Sequence, residues 1–426
     1  MTARDPHRSI AATLFATAVL ASATYAQTET ATPAPKAGES AVDALKASVE
    51  ALYLVAPDAA ESLGTTIGWQ TRLTLPTGMQ TTRVWASAQG VFVGNTRNEL
   101  TMLRPHDGTI VWYSSGAPTS DTILAVQPMQ VPFAQSAVDR IAVATNTCVY
   151  LVSPVDGKLH SPVPLTVKQP VHRTPSTAPV ATSSAFVWGT RSGIVCWHRF
   201  ATGAEVNAKT IGASIVAKPT LYADSCVLVG TTDGFVAALD AANGASYWRT
   251  KLGKGVRASI AAANDTAIVA SQDQYVYAFD IRNGAKLWSY FTESSLETPP
   301  FATDEVAIQF VPTEGLMCFE LRGAGHPGGV VRWTKQGLGI PVLTAHGQDL
   351  FLWDPVRRQV VVVDLATGAI ARTIAMPQVE WIEADRLLKG DFMVWNTDGR
   401  VEYLAPRVSA AAKKPADSAS ANAASN

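Results

Sequence analysis

Charged side chains are scarce in this chain, and neither sign dominates. Of its 426 residues, 16% are charged, and 34 basic residues against 35 acidic ones leave a net charge of −1, whereas ordinary soluble domains carry about 25% charged residues. Binding to nucleic acid requires a basic excess. We therefore expect no nucleic-acid partner and no polybasic membrane-binding surface. The apolar fraction of 47% excludes a wholly disordered chain.

Cysteine is also sparse, and its spacing fits no common metal or redox motif. No two cysteines are adjacent, and none forms a Cys-x-x-Cys pair, so zinc-binding and redox motifs are not indicated. Two interpretations stay open: the cysteines are small buried hydrophobes on strands, or one disulfide joins two of them. The four are Cys148, Cys196, Cys226 and Cys318.

Sequence patterns typical of catalytic sites are missing. The seven histidines are scattered, and the chain has no His-Glu-x-x-His, Gly-x-Ser-x-Gly or Gly-Lys-Ser/Thr sequence. No dense cluster of Asp, Glu and Asn supplies the roughly six to eight oxygen ligands of a calcium ion. We predict no catalytic, cofactor-binding or metal-binding residue from these patterns, although a histidine could meet a distant carboxylate in the folded chain.

The first 26 residues have the features of a signal peptide. Arg4 and Arg8 precede an apolar stretch over residues 10–23, which is too short to span a bilayer. Small residues at positions 24 and 26 allow cleavage before Gln27. No cysteine lies near that point, so we expect an exported protein without a lipid anchor, in the periplasm or otherwise extracytoplasmic. No later segment predicts a transmembrane helix.

The segments that flank the body differ from it in composition. Residues 27–63 are predicted to form a Pro/Ala-rich linker with a short amphipathic helix at about residues 40–54, since Val42, Leu45 and Val49 share one helix face. The helix either docks a partner or covers the body of its own chain. Residues 405–426 are rich in Ala and Ser and are predicted to form a disordered tail.

Between these flanks the chain repeats. Residues 226–249 and 266–289 align closely: the tryptophans Trp248 and Trp288 are 40 residues apart. Turns with an equivalent glycine recur at spacings of 39 to 49 residues, which is typical of propeller blades.

Each copy predicts four antiparallel strands joined by tight turns. Runs of β-branched residues indicate strands. Asp240 with Gly244, and Asp280 with Gly284, indicate the turn before the outer strand. Asp accepts hydrogen bonds from turn N–H groups, and Gly adopts the left-handed conformation that the turn requires.

The repeat count predicts a closed ring. The last copy begins near Trp381 and stops before its outer strand, and residues 67–73 resemble the missing strand. We therefore predict an all-β fold: an eight-bladed β-propeller of four-stranded antiparallel blades over residues 64–404, closed by an N-terminal strand that joins the C-terminal blade. Closure removes exposed sheet edges.

The segments 238–248 and 278–288 resemble the tryptophan-docking motif of the PQQ-like (quinoprotein-type) β-propeller repeats, and the resemblance spans about residues 64–404. In that family the tryptophans pack between neighbouring blades. The resemblance implies this structural role for Trp69, Trp112, Trp248, Trp288 and Trp333. Ser161, Asn207 and Arg372 stand where the motif expects tryptophan in other copies.

The family that the chain resembles contains two functional classes. PQQ-dependent dehydrogenases are longer, bind PQQ and calcium, and many carry adjacent cysteines. Non-enzymatic scaffolds include the propeller lipoprotein of the outer-membrane β-barrel assembly machinery. We expect a scaffold that binds a protein partner in the cell envelope, with outer-membrane protein assembly as one setting. The alternatives are a small PQQ- and calcium-dependent dehydrogenase, which needs carboxylates and Arg/Lys converging at one channel mouth, and a propeller that binds polysaccharide or another small ligand.

Two surface features are candidates for partner binding. The longest repeat spacings, 49 and 46 residues, fall in the first three blades, and loops on a rigid scaffold often carry binding sites. Trp188, Trp353 and Trp395 end equivalent strands next to hairpin turns. They either form an aromatic rim that binds a partner or pack between blades.

Overall fold

Thirty-two strands and one short helix make up the part of the chain that the structure describes. The computed structural model describes residues 52–407, apart from positions 134, 135, 162, 164, 323, 324 and 326. The predicted signal peptide, residues 40–51 of the predicted amphipathic helix and the predicted tail beyond residue 407 lie outside these residues.

The strands form eight sheets of four strands each. The first four blades follow chain order. Blade 1 is β2 (Thr81–Ser87), β3 (Gly90–Asn95), β4 (Glu99–Leu103) and β5 (Ile110–Ser115); blade 2 is β6 (Ile123–Phe133), β7 (Ser136–Thr145), β8 (Cys148–Val152) and β9 (Lys168–Pro170); blade 3 is β10 (Val180–Ala181), β11 (Ala185–Gly189), β12 (Ile194–Arg199) and β13 (Ala204–Thr210); blade 4 is β14 (Thr220–Tyr222), β15 (Cys226–Gly230), β16 (Phe235–Asp240) and β17 (Ser246–Lys251).

The remaining blades continue the pattern, except that the last takes its outer strand from the start of the chain. Blade 5 is β18 (Ala261–Ala263), β19 (Thr266–Ala270), β20 (Tyr275–Asp280) and β21 (Lys286–Phe291); blade 6 is β22 (Phe301–Ala302), β23 (Val306–Val311), β24 (Gly315–Glu320) and β25 (Val331–Lys335); blade 7 is β26 (Val342–His346), β27 (Asp349–Asp354), β28 (Gln359–Asp364) and β29 (Ile370–Ala375); blade 8 is β30 (Trp381–Ala384), β31 (Phe392–Trp395), β32 (Arg400–Pro406) and β1 (Thr65–Arg72).

Strand β1 closes the ring. It pairs antiparallel with β32 from Thr65 opposite Pro406 to Arg72 opposite Arg400, and all the other strand pairs are antiparallel as well. The predicted fold, an eight-bladed propeller closed by an N-terminal strand, is confirmed. β32 runs two residues past the predicted end of the propeller at 404.

The helix α1 (Pro57–Ser62) has six residues and lies in the predicted linker, just before β1. Its first turn contains Pro57, whose missing N–H has no partner at a helix start in any case. Within residues 52–407 as described, no helix combines the length and the apolar character needed to cross a membrane.

The core lies between the blades. The second strands β15 and β19 are buried at every residue, because both faces of a central strand contact a neighbouring sheet. One such interface joins blades 4 and 5 through Trp248, Val269 and Phe279. Strands buried on both faces are expected to be continuously apolar, as these sequences are.

All four cysteines are buried and none is paired. They contribute to the cores as small buried hydrophobes. This is the first of the two interpretations of the sequence, and the other was a disulfide. Burial raises the pKa of Cys196 and of Cys318 to about 12. These thiols therefore stay protonated and unreactive at neutral pH.

Candidate functional site

Tryptophan side chains connect successive blades. The Nε1–H of Trp248 on β17 donates to the carbonyl of Ile281 in the next blade, 2.6 Å away. Its ring covers Gly284, where an added Cβ would come within 2.7 Å of the indole. The other four predicted docking tryptophans donate in the same way, Trp69 to Pro105, Trp112 to Pro154, Trp288 to Leu321 and Trp333 to Leu365.

The remaining joints use other donors, which the sequence motif does not reveal. Trp197 on β12 faces Asn207 across the strand pair, and its Nε1–H donates to the carbonyl of Ala241 at 2.9 Å. Gln169 on β9, and not Ser161, fills the equivalent place in blade 2 and donates to the carbonyl of Phe200 at 2.8 Å. Arg372 donates to the carbonyl of Ser62 at 2.9 Å.

The three tryptophans considered as an aromatic rim are buried. Trp188 is 1% exposed, Trp353 6% and Trp395 3%. Each lies on a second strand, where its large apolar ring fills the space against a neighbouring sheet. Their placement matches the inter-blade alternative, and they do not form an exposed surface for a partner.

Blade 2 carries an extended hairpin. In blade 4 the ladder between the first two strands ends at Tyr222 and Cys226, and the equivalent pair in blade 2 is Met129 with Arg140. Four further pairs follow, from Gln130 opposite Asp139 to Phe133 opposite Ser136. At a rise of about 3.3 Å per residue, they lengthen the hairpin by roughly 13 Å.

A second insertion in blade 2 supports this hairpin. The turn of β8 closes at Gly157, but the outer strand β9 begins only at Lys168. From the intervening segment, Val163 and Leu165 pack in one apolar cluster with Val131 of the hairpin, which is fully buried. The two longest repeat spacings therefore come from two insertions that pack on each other. We call them the blade-2 extension, the described residues of 130–139 and 158–167, without positions 134, 135, 162 and 164.

Arg140 joins the two halves of the blade-2 extension. Its Nη2 donates to the Ser161 hydroxyl at 2.7 Å, and its Nη1 donates to the Asp139 carbonyl at 2.7 Å. Burial lowers the pKa of the guanidinium.

Beside Arg140 lies a groove of about 570 Å³ between blades 1 and 2, with apolar walls from Met102, Pro128 and Met129. The groove and the exposed outer face of the hairpin form the candidate interaction surface.

A second candidate site lies where the first strands of the blades meet. β2 lies beside β6, β10 beside β14, and β26 beside β30. Residues of β2, β6, β10, β14 and β30, or next to them, border a central cavity of about 480 Å³ whose charged lining residues are Arg83, Lys218, Arg386 and Glu383. Desolvation lowers the pKa of Lys218, and the charges of Arg386 and Arg83 lower it further.

The donor set of this cavity does not fit calcium. Glu383 is its one carboxylate among the described lining residues, and Arg386 binds it at 2.8 Å. Three cations would repel Ca²⁺, which needs about six to eight oxygen ligands. Across the described part of the chain, no three His, Cys, Asp or Glu side chains converge as a metal site.

One histidine does meet a distant carboxylate. His346 at the end of β26 lies 3.2 Å from Asp385, which follows β30, and the Thr344 hydroxyl donates to the same carboxylate. Asp385 also accepts the N–H of Gly390 at 2.7 Å. The carboxylate thus has several donors from two blades, an arrangement that ties blades 7 and 8 together.

Comparison with known proteins gives one matching family and many solved structures of similar fold. Residues 149–374 match the protein family described as outer membrane protein assembly factor BamB. The crystal structure of BamB from Moraxella catarrhalis is similar, with a TM-score of 0.55 and 17% identity over 79% of this chain and 97% of that one. The computationally designed Ika8 protein has a TM-score of 0.55 and 14% identity over 80% of this chain and 99% of that one. No curated protein sequence matches the chain.

Proposed function

The chain belongs to the family described as outer membrane protein assembly factor BamB, and from this premise we propose that it is an exported, non-enzymatic scaffold of the cell envelope. Its task is to bind a protein partner during outer-membrane protein assembly. Family membership supports a protein-interaction role. The setting and the partner are the proposal.

The observation that carries this proposal is the blade-2 extension. Seven blades keep short ladders between their first two strands, whereas blade 2 adds four pairs and a supporting insertion. Val131 and Leu165 hold the two insertions together, so the extension is a packed structure with a defined surface. A rigid ring that presents one enlarged end is suited to docking another protein.

The cavity chemistry favours the scaffold over the dehydrogenase. A PQQ- and calcium-dependent site needs carboxylates that ligate the metal, and here the single cavity carboxylate is held by Arg386 at 2.8 Å. We therefore propose that neither PQQ nor calcium is a cofactor. A calorimetric titration of the mature protein with PQQ in excess calcium should be flat. Saturable binding near one per chain would overturn this part of the proposal.

Site-specific photo-crosslinking in the producing cell tests the interaction role. A crosslinking residue replaces Ala137, which is exposed on β7, the second strand of the extended hairpin. The matched control replaces Asp398, also exposed, in the turn between β31 and β32 at the other end of the strands. We expect Ala137 to crosslink to a component of the outer-membrane assembly complex, and Asp398 not to.

Two results would contradict the proposal. One is that both positions crosslink to the same proteins, which would indicate non-specific contact. The other is that Ala137 crosslinks only to proteins outside the envelope. Mass spectrometry of the crosslinked bands separates these results.

A further inference from the structure

Three cationic side chains from separate parts of the chain converge on the central cavity. Arg83 lies on β2 of blade 1, Lys218 precedes β14 of blade 4, and Arg386 follows β30 of blade 8. Glu383 pairs with Arg386 at 2.8 Å. Among the described residues, neither Arg83 nor Lys218 has a carboxylate within ion-pair distance, and Glu383 attracts Lys218 only from farther away. The charged lining residues carry a net charge of +2, three cations minus one anion.

The three cations are exposed to solvent in the channel. Desolvation still lowers the pKa of Lys218, the charges of Arg386 and Arg83 lower it further, and Glu383 offsets part of this effect. Like charges close together in a partly desolvated space cost free energy. Charged clusters that line a cavity and shift the pKa of a member are typical of binding sites.

We propose that the central cavity binds a small multivalent anion that carries phosphate or carboxylate groups. An anion placed between Arg83, Lys218 and Arg386 relieves their repulsion and forms charge-assisted hydrogen bonds. Gln127 and Ser259 also line the cavity and offer neutral donors. The volume of about 480 Å³ is in the range of small-molecule sites.

The cavity walls limit the shape of the ligand. Trp85 lines the cavity beneath the Arg83 guanidinium, which lies 5.7 Å from the ring centroid. Leu124, Pro179 and Leu221 add apolar surface. These walls suit an anion with a compact organic body, such as a small organic phosphate or an aliphatic di- or tricarboxylate of about the size of citrate, rather than a large planar quinone. The site is at the ring centre and is separate from the blade-2 extension.

Titration calorimetry tests the proposal, with sodium pyrophosphate and sodium citrate as probes. The titrations are made at low ionic strength, because charge interactions are least screened there. We expect at least one of the two to bind saturably at one site per chain. Lys218→Met should weaken that binding by about tenfold or more, as expected for a lost charge partner. Glu383→Gln should tighten it severalfold, because it frees Arg386.

The control variant is Lys209→Met, which removes an exposed cation on β13, outside the cavity. It should bind the probe like the parent protein. Thermal unfolding without probe should show Lys218→Met no less stable than the parent, because the change removes repulsion. Absence of saturable binding by both probes would overturn the proposal, as would binding that Lys218→Met leaves unchanged. Binding of acidic peptides alone would overturn it in favour of a protein tail in the channel.

Discussion

At the scale of single residues, each joint between blades depends on a nitrogen donor as much as on an aromatic ring. Trp248 supplies both, since its ring covers Gly284 and its N–H reaches the buried carbonyl of Ile281. Gln169 and Arg372 supply only the donor. Except for the exposed contact of Arg372 with Ser62, these hydrogen bonds are at least partly buried. A buried carbonyl without a partner costs free energy, which favours a donor at each of these joints.

Trp248→Phe isolates the contribution of that hydrogen bond. The substitution keeps most of the apolar ring but leaves the Ile281 carbonyl unpaired, which should lower the free energy of unfolding by about 1–3 kcal/mol. Trp395→Phe is the matched control, because the Trp395 ring is buried but its Nε1 has no hydrogen-bond partner in the structure. Urea denaturation of both variants measures the difference. An equal loss in both would show that the donor is unimportant.

The turn glycines make a second residue-scale prediction. Gly284 has φ +73°, and a Cβ there would come within 2.7 Å of the Trp248 indole, whereas Gly347 has φ +58° and open space around it. Gly347→Ala should therefore cost only the backbone strain, about 1–2 kcal/mol. Gly284→Ala adds the steric cost of overpacking, about 1–3 kcal/mol more. Denaturation curves that place Gly347→Ala at or below the stability of Gly284→Ala would contradict this.

The resemblance to the repeat motif implied five docking tryptophans but not Trp197 or Gln169. Trp197 acts from the third strand, directly across from the expected position at Asn207. Gln169 acts after an insertion that moves the outer strand along the chain. In both cases the strand register decides which side chain reaches the joint, and sequence spacing alone does not contain that register.

At the scale of secondary-structure elements, the segment before α1 is held on blade 8 by two side chains. Leu54 donates its N–H to the Glu402 carboxylate at 2.9 Å, and Gln70 donates to the Leu52 carbonyl at 2.9 Å. Leu54 and Val55 are buried in the core between blades 7 and 8. Glu402 is itself fully buried, and desolvation raises its pKa to about 7.

Glu402 makes stability depend on pH. Because its pKa is higher in the folded state than the usual 4.5, the folded protein binds more protons between these values, and stability falls as pH rises from about 4.5 to 7. The loss is on the order of 3 kcal/mol. Glu402→Gln keeps an acceptor for Leu54 and cannot ionise, so its stability should not show this fall.

The measurement is the difference between the two unfolding free energies at each pH. His198, whose burial lowers its pKa to about 4, contributes a change of opposite sign below about pH 6.5 in both proteins and cancels in the difference. Parallel curves for the parent protein and Glu402→Gln would show that Glu402 ionises normally.

The extended hairpin shows what local sequence patterns do not reveal. Prolines at positions 128 and 132 suggest a loop, yet both lie within β6. β6 is the innermost strand of its sheet and has a ladder partner on one side only. Proline is tolerated in such edge strands because the missing N–H faces no partner. The sequence indicated an enlarged blade, but the same prolines concealed that the extra residues form strands.

At the scale of the whole molecule, features that combine distant segments were out of reach of the sequence. The cavity charges come from positions 83, 218, 383 and 386 in three blades, and no local pattern connects them. Ring closure was predictable because β1 carries the outer strand of a repeat whose other three strands are β30, β31 and β32. Repetition therefore predicts the architecture, whereas the site requires the folded positions of residues that do not repeat.

Closure makes a final prediction about how the ring unfolds. A chain that begins at Gly64 keeps β1 and loses only α1 and the residues before it, whereas a chain that begins at Pro76 also loses β1. The second truncation leaves blade 8 with three strands and exposes the edge of β32, and it removes the Trp69 joint to blade 1.

Exposed edges promote association between chains. We expect this truncation to unfold at a lower temperature and to form oligomers in size-exclusion chromatography, while the first stays monomer-like. Equal behaviour of the two would show that the ring holds together without its closing strand.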